Sequence, residues 1–466
     1  MNARRCPHYS NTARLVGAAL LLITTVAVPH SLAQVLDPNA AEVASIATES
    51  DPNTPIIEIA VAEPDPNAPV ITSITTEAGG AELPEVVVVD SRELRDYRDA
   101  IFAAESSRGA YATLLPEQLL SLGLALQKDG HHADAVDVFK RGAHLARIND
   151  GLYGVAQIRH LQNKITSHLV LGEWEEADKS QARLFRVQRR NTGNEEIQIQ
   201  ALLQQALWQQ QAYKLNIGGD ELSFGRLMSM WDLNRLALTS IIEREGDKSP
   251  QLLLPLYGML RAQYLISGHR DRSTKTSSDF KSEVGSRQAH HRFNSYFSKS
   301  YDMGSSIIRA IYDIQASRHG EQSLPTIKTR IMLGDWMLWH GVRDPAMSTY
   351  VLAIGELAEL DDAQLQAQSL LSVPAALPDL DGVRPLPPEV SAEVGDFLVE
   401  FGVTRRGRVV DLVRLQEPDD ENTSAAVATQ TSRLMRALRK TKFRPRFVDG
   451  EAATTEKVVK AYAIAH

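Results

Sequence analysis

Small, apolar and aromatic residues recur in one frame of about 34 residues in two distant parts of this chain. Small residues at facing positions let two helices approach closely, and a glycine between them tolerates a left-handed turn. The residues in the frame are Leu122-Gly123, Leu126, Gly130, Ala135 and Phe139 in the first part, and Leu333-Gly334, Met337, Gly341, Ala346, Tyr350 and Ala353 in the second. The frame predicts stacked helix pairs, which bury their faces only against neighbouring pairs.

Apolar residues follow a spacing of three and four from Ser91 to about Leu377, the period of helices with one buried face. We therefore expect a mainly α fold, with a helical repeat domain at residues 91–377 and a long polar loop from His269 to Arg292. The frame resembles the tetratricopeptide repeat, which implies a solenoid whose groove binds a protein or a peptide. Alternatively, the helices only hold the two ends of the chain apart. The five tryptophans are expected in the core.

The N-terminus has the pattern of a secretory signal over residues 1–33. Basic residues precede an apolar run from Leu15 to Val28, and small residues end at Ala33. About 14 apolar residues are fewer than the roughly 20 that span a bilayer as a helix. This favours cleavage and export to the periplasm, and the alternative is a retained inner-membrane anchor. Cys6, the only cysteine, would be removed with the signal, which excludes disulfides and thiolate metal sites.

Residues 34–90 hold eleven carboxylates and no Lys or Arg, whereas the whole chain has a net charge of −8. Asp-Pro-Asn recurs at Asp37, Asp51 and Asp65, and the segment is rich in proline and has no aromatic residue. This composition predicts an acidic, disordered tether. Calcium ligation is the less favoured alternative, because the triplets are isolated. The acidity belongs to this segment, so the rest of the chain is close to neutral and no nucleic-acid partner is expected.

The last part of the chain switches between strand and helix periods. Two runs, Phe397 to Val403 and Val409 to Leu415, alternate as the strands of a hairpin around Thr404-Arg405-Arg406-Gly407. A helix is expected next, from about Ser424, because Val427, Thr431, Leu434 and Leu438 form one apolar stripe.

Two more strands are expected after this helix, Phe443 to Val448 and Lys457 to Ile464, with a turn at Asp449-Gly450 between them. Prolines from Pro385 to Pro388 mark the entry to the region. These patterns predict a small α+β domain, an antiparallel sheet plus one helix, at residues 388–466.

The face of the predicted helix opposite the apolar stripe is basic, and its cations continue beyond the helix without an acid. They are Arg433, Arg436, Arg439, Lys440, Lys442, Arg444 and Arg446. This run is interpreted as a solvated face. The alternatives are contact with acidic partners, with anionic headgroups or cell wall, or with the acidic tether, the last of which would be salt-sensitive.

The order of these features resembles the C-terminal domain of TonB proteins: a strand, the turn Arg406-Gly407-Arg408-Val409, a second strand, a basic helix, Phe443-Arg444-Pro445, a turn with glycine and a terminal strand. The resemblance implies that a peptide of an outer-membrane transporter adds as a strand along the last strand of the sheet. Alternatively, the last strand only completes the sheet, and its lysines protect the edge. The partner-binding residues that the resemblance implies are Lys457, Val458, Val459, Lys460, Ala461, Tyr462 and Ile464, with Tyr462 adding selectivity.

No motif indicates catalysis, a cofactor or a metal site. The adjacent pairs His131-His132 and His290-His291 are expected in loops and lack the four-residue spacing that places two ligands on one helix face. Neither a phosphate-binding glycine loop with lysine nor a Gly-x-Ser-x-Gly motif occurs. We therefore expect a protein that is not an enzyme.

The sequence as a whole predicts a periplasmic adaptor for protein–protein interaction, from a bacterium with two membranes. The solenoid would hold one partner, and the C-terminal domain would engage a transporter or another envelope protein. One alternative is an inner-membrane-anchored TonB-type energy transducer, which contacts the membrane only if the signal is uncleaved. Another is an enzyme or ligand-binding protein with a site in the solenoid groove.

Overall fold

The computed structural model describes residues 91–190, 195–269, 284–360, 369–391, 397–415 and 425–462. The predicted signal peptide, the acidic tether with its Asp-Pro-Asn triplets, and Ile464 lie outside these residues. The fold class is as predicted over the described ranges, because an array of packed helices is followed by a small antiparallel sheet and one helix.

Within the described residues, twelve helices form the array, and each packs against the next along the chain. The first seven are α1 (Ser91–Arg108), α2 (Leu115–Lys128), α3 (His132–Asp150), α4 (Gln157–Val170), α5 (Trp174–Arg190), α6 (Glu195–Lys214) and α7 (Asp220–Glu245). After a 3-10 turn at Pro250–Leu252 follow α8 (Leu253–Gly268), α9 (Val284–Ser298), α10 (Ser300–His319), α11 (Leu324–Trp339) and α12 (Arg343–Ala358). A four-residue helix, α13 (Ser369–Ser372), leads towards the sheet, and α14 (Ala425–Lys440) lies between its strands in sequence.

The repeated frame is built as its small residues predict. Gly123 of α2 faces the fully buried ring of Phe139 on α3, and a Cβ at Gly123 would collide with that ring. Gly334 of α11 faces Tyr350 of α12 in the same way, with a Cβ placed 2.6 Å from the ring. Because each aromatic ring occupies the space that a side chain would need, the glycine sets how closely the two helices pack.

Three expectations for the helical region are wrong, and one of them is the loop position of the histidine pairs, since His132 already begins α3. The loop expected to run to Arg292 ends earlier, because α9 begins at Val284 and Phe293 on it is buried against the array. His291 is therefore helical rather than part of a loop, and the side chain of His290 is outside the described residues. The helical pattern also stops short of Leu377, which belongs to a strand.

The five tryptophans divide between core and surface. Trp231 and Trp336 are buried, and Trp208 and Trp339 are partly buried against the core. Trp174, at the start of α5, is exposed, so the expectation of core burial holds for four of them.

Eight strands form three small antiparallel sheets among the described residues. They are β1 (Ala375–Leu377), β2 (Glu389–Val390), β3 (Phe397–Val403), β4 (Val409–Arg414), β5 (Lys442–Arg444), β6 (Arg446–Val448), β7 (Glu451–Ala453) and β8 (Thr455–Tyr462). The main sheet has the order β2-β8-β3-β4, while β1 pairs with β5 and β6 pairs with β7. Leu438 of α14 packs on the main sheet with the inward residues of β3, as the predicted stripe requires.

The predicted hairpin is present, and Gly407 is the reason that its turn fits. The residue has φ +71°, and its carbonyl accepts a hydrogen bond of 2.9 Å from the amide of Phe443. A Cβ at Gly407 would collide with the carbonyl oxygen of Phe443. The β3–β4 turn is therefore pressed against β5, and only glycine satisfies both the backbone angle and the contact.

The strand expected from Phe443 to Val448 is divided at Pro445, which has no amide hydrogen to continue a ladder. Its first half, β5, pairs with β1, and its second half, β6, pairs with β7. Asp449 and Gly450, both at positive φ, form the expected turn, but it joins β6 to β7 rather than to the last strand.

Candidate functional site

The motif Phe443-Arg444-Pro445 joins the sheet to the helical array. Phe443 is buried in the core beneath β3. Arg444 points the other way and reaches Asp335 on α11, with 2.6 Å between Nη1 and Oδ2. Both residues are only 3% exposed. Asp379, in the segment after β1, accepts from Nη2 of Arg444 at 3.1 Å.

Asp335 is bonded both to the sheet, through Arg444, and to the helical array, through Tyr350. Its second oxygen accepts a hydrogen bond of 2.7 Å from the hydroxyl of Tyr350 on α12. Burial raises the pKa of Asp335, and the adjacent Arg444 opposes that effect. Burial acts to lower the pKa of Arg444, but Asp335, Tyr350 and Asp379 raise it overall, so the guanidinium stays protonated. The junction is thus a buried charge cluster that needs all of its partners.

The cations of the basic run divide between the predicted face of α14 and the strands that follow it. Lys442 donates to the carbonyl of Trp339 at 2.6 Å and lies 5.6 Å from its ring centroid. Arg444 is buried, and Arg446 is partly buried on β6. The helix ends at Lys440, so these three residues lie on β5 and β6, and Lys442 and Arg444 contact α11. The exposed basic face consists of Arg433, Arg436, Arg439 and Lys440.

The structure places β8 inside the main sheet rather than at its edge. On one side it pairs with β3 along its length, and on the other it pairs with β2 only at Ala461 and Tyr462. The outer side of residues 455–460 has no partner strand in the part of the chain that the structure describes. We call this stretch of main chain the open edge.

The predicted partner-binding residues divide into exposed, paired and buried groups. Val459 is 46% exposed, whereas Val458 packs on the core and Ala461 is buried. Lys457 pairs with Glu400 of β3 at 2.6 Å, and Lys460 pairs with Glu389 of β2. Both lysines are thus engaged within the sheet.

Tyr462 does not lie on the surface, contrary to its expected role in selectivity. Its ring is fully buried beneath the sheet, and burial raises the pKa of its hydroxyl. The reason is register: Tyr462 pairs with Phe397, and residues directly opposite each other in an antiparallel pair share a face. Phe397 is in the core, so Tyr462 is too.

The opposite edge of the sheet, β4, is irregular. Asp411 has φ +51°, and the pairing with β3 shifts by one residue between Glu400 and Gly402. Such a bulge twists an edge and interrupts its row of hydrogen-bonding groups, which hinders the addition of another strand. Val413 of β4 is exposed on the same row as Glu400 and Val459.

A concave surface, which we call the basic groove, is lined by residues of α3, α4 and α5. Its volume is about 400 Å³, and its exposed lining is more apolar than polar, although the side chains of Ala143 and Leu161 are themselves buried. Six Lys or Arg side chains and one carboxylate, Glu176, line it. The cations are Lys140, Arg147, Lys164, Lys179, Arg183 and Arg186. Sequence reasoning missed this site, although spacings of four and three along α5 place its three cations on one face.

Among the described residues, no group of three His, Asp or Glu side chains is arranged to hold a metal ion. The described helices also include none that is long and apolar enough to cross a membrane.

Comparison with protein-family models gives no match to this chain. Comparison with curated proteins gives no similar sequence.

Proposed function

We propose that this chain is a non-catalytic interaction scaffold of the bacterial envelope, which captures an extended segment of a partner at the open edge of β8. The observation that carries the proposal is the outer side of residues 455–460, which has no partner strand among the described residues. Main-chain donors and acceptors on such an edge bind an added strand, and neighbouring side chains select its sequence.

The open edge suits this role better than β4 does. The bulge at Asp411 interrupts the middle of β4, whereas β8 pairs with β3 in one register from Val458 to Tyr462 and shifts only beyond Phe401. The exposed side chain of Val459 gives an added strand an apolar neighbour. Tyr462 takes no part in recognition, because its ring is in the core.

Because Arg444 anchors the sheet to the helical array, a partner that binds at β8 is also positioned relative to that array. Arg444 and Lys442 both contact α11, and Phe447 of β6 packs against Tyr350 of α12 with 5.2 Å between ring centroids. A partner held at β8 is therefore fixed relative to the helical array. We propose an adaptor that holds two partners in a set geometry, with a transporter of the outer membrane as the partner class at β8.

Site-specific photo-crosslinking in the cell envelope tests the proposal. A photoreactive amino acid at Val459 reports on the open edge, and the same group at Val413 is the matched control, because both residues lie opposite Glu400 and are exposed. We expect a crosslinked envelope protein from Val459 and little or none from Val413. A crosslink from Val413 alone, an equal yield from both positions, or none from either would contradict strand capture at β8.

A further inference from the structure

The basic groove concentrates positive charge that the nearby carboxylates neutralise only in part. Lys179 pairs with Glu176 at 2.6 Å. Lys140, Arg147, Lys164, Arg183 and Arg186 line the same groove, and no carboxylate in the described part of the chain lies within salt-bridge distance of them. Like charges held together in this way raise the local concentration of anions.

The two most enclosed cations of the groove are Lys164 and Arg183. Burial lowers the pKa of Lys164, the nearby Lys140 lowers it further, and Glu176 and Asp137 oppose the shift in part. Burial likewise lowers the pKa of Arg183, with a further contribution from Arg147. Burial therefore disfavours the charged forms of Lys164 and Arg183, and a bound anion would reduce this free-energy cost.

Hydrogen bonds hold two arginines of the groove, Arg147 and Arg183, in place, which favours a preorganised binding site over a set of unrestrained surface charges. Arg183 donates a hydrogen bond of 2.8 Å to the side chain of Gln157, whose own amide donates to the carbonyls of Gly151 and Leu152. Arg147 donates to Nδ1 of His144 at 3.2 Å. The guanidinium groups of Arg147 and Arg183 thus bond to side chains that are not carboxylates, and no ion pair of the described residues takes up their charge.

We infer that the basic groove binds an acidic peptide segment, with carboxylates against Lys164 and Arg183 and apolar side chains against the apolar part of the groove lining. Peptide is the class favoured here because the groove combines six cations with a lining whose exposed surface is more apolar than polar. This inference rests on the proposed scaffold function, because it names the partner class of the helical array.

Fluorescence anisotropy with the full-length protein tests the inference. The probe is a fluorescein-labelled peptide in which Glu and Asp alternate with Ala and Leu, and the comparison peptide carries Gln and Asn in place of the acids. The double variant Lys164→Gln/Arg183→Gln removes two groove charges. Arg433→Gln/Arg436→Gln removes the same charge from the exposed face of α14.

We expect the acidic peptide to bind, the neutral one to bind at least about tenfold more weakly, and the groove variant to lose about tenfold in affinity, since hydrogen bonds to charged groups contribute at this level. The α14 variant should bind as the unchanged protein does. Both variants should keep their helical circular dichroism, because neither loses an ion pair of the described residues.

Equal losses in the two variants, or equal binding of the two peptides, would overturn the groove assignment. Inorganic polyphosphate as competitor supplies a further outcome: tighter binding than the peptide, with the same dependence on Lys164 and Arg183, would overturn the peptide class. Crosslinking from Val459 should be unchanged in the groove variant. Failure of strand capture is thereby distinguished from failure of groove binding.

Discussion

Arg444 of β5 and Asp335 of α11 form a buried ion pair that joins the C-terminal sheet to the helical array, with 2.6 Å between Nη1 and Oδ2. The pair spans 109 residues of sequence. Tyr350 and Asp379 complete it, so each charge in the junction has a partner. All of the helices and strands described above fall within one compact unit.

Substituting Arg444→Met should lower the free energy of unfolding by about 3–5 kcal/mol, because it leaves the buried carboxylate of Asp335 without its cation. Urea unfolding followed by circular dichroism measures the change. Arg439→Met on the exposed face of α14 is the control and should change stability by less than about 0.5 kcal/mol. Equal effects of the two substitutions would mean that Arg444 does not anchor the sheet.

Gly407→Ala should destabilise the C-terminal sheet by several kcal/mol, whereas Gly450→Ala should cost only about 1–2 kcal/mol. Both glycines have positive φ, but a Cβ at Gly407 collides with the carbonyl of Phe443, and a Cβ at Gly450 has open space. The comparison, made by chemical unfolding, separates the contact from the backbone angle. If the two variants lose the same stability, the close approach of the β3–β4 turn to β5 is wrong.

Gly334→Ala tests the repeated frame against Gly355→Ala, which lies on the next helix with open space around it. The first should destabilise the array, because its Cβ would lie 2.6 Å from the ring of Tyr350. The second should stabilise the protein by about 0.5–1 kcal/mol through helix propensity. Thermal unfolding at 222 nm reads both, and a stabilised Gly334→Ala protein would refute the packing of α11 on α12.

Two histidines should make the protein less stable in acid. Burial lowers the pKa of His160 and of His340 to about 4, with Lys442 contributing for His340. The unfolded chain takes up these protons near pH 6.5, so their stabilising effect is complete above that pH and is lost as the pH falls from 6.5 to 4.

The size of that pH effect is bounded by about 1.4 kcal/mol per pH unit for each histidine, and it is smaller for the partly exposed His340. Urea unfolding at pH 7.5 and at pH 5 measures it. His160→Gln/His340→Gln should flatten the difference between the two pH values. An unchanged difference in the double variant would assign the acid sensitivity to other groups.

Local periodicity accounts for the part of the fold that the sequence predicts. The period of two in β3, the stripe ending at Leu438 in α14, and the Gly334–Tyr350 spacing each depend on residues that are close in sequence. The strands β1 and β5 have three residues each, which is too short for a period to appear, and they pair across a long separation. For this reason the pairing of β5 with β1 is visible only in the fold. The burial of Tyr462 depends on its register with Phe397, which local periodicity does not fix. The division at Pro445 did have a sequence signal, because proline has no amide hydrogen to continue a ladder.

The junction and the basic groove escaped prediction because folding assembles each of them from distant segments. Arg444 reads as one more cation of a basic run until Asp335 is found beside it. One signal was present: Asp335 is an acid within the apolar frame Leu333 to Trp336, where a charge needs a buried partner. In the groove, Lys140, Lys164 and Arg183 come from three helices, and no linear motif contains them.

The claim on which this account depends is that Arg444 and Asp335 hold the sheet and the helical array as one body. A double-mutant cycle with Arg444→Met, Asp335→Leu and the combined variant, read by urea unfolding, measures their coupling directly. We expect the double variant to lose less stability than the sum of the two single losses, by about 2 kcal/mol or more. The reason is that removing both charges leaves no unpaired charge in the core. Additive effects, within about 0.5 kcal/mol, would contradict the claim.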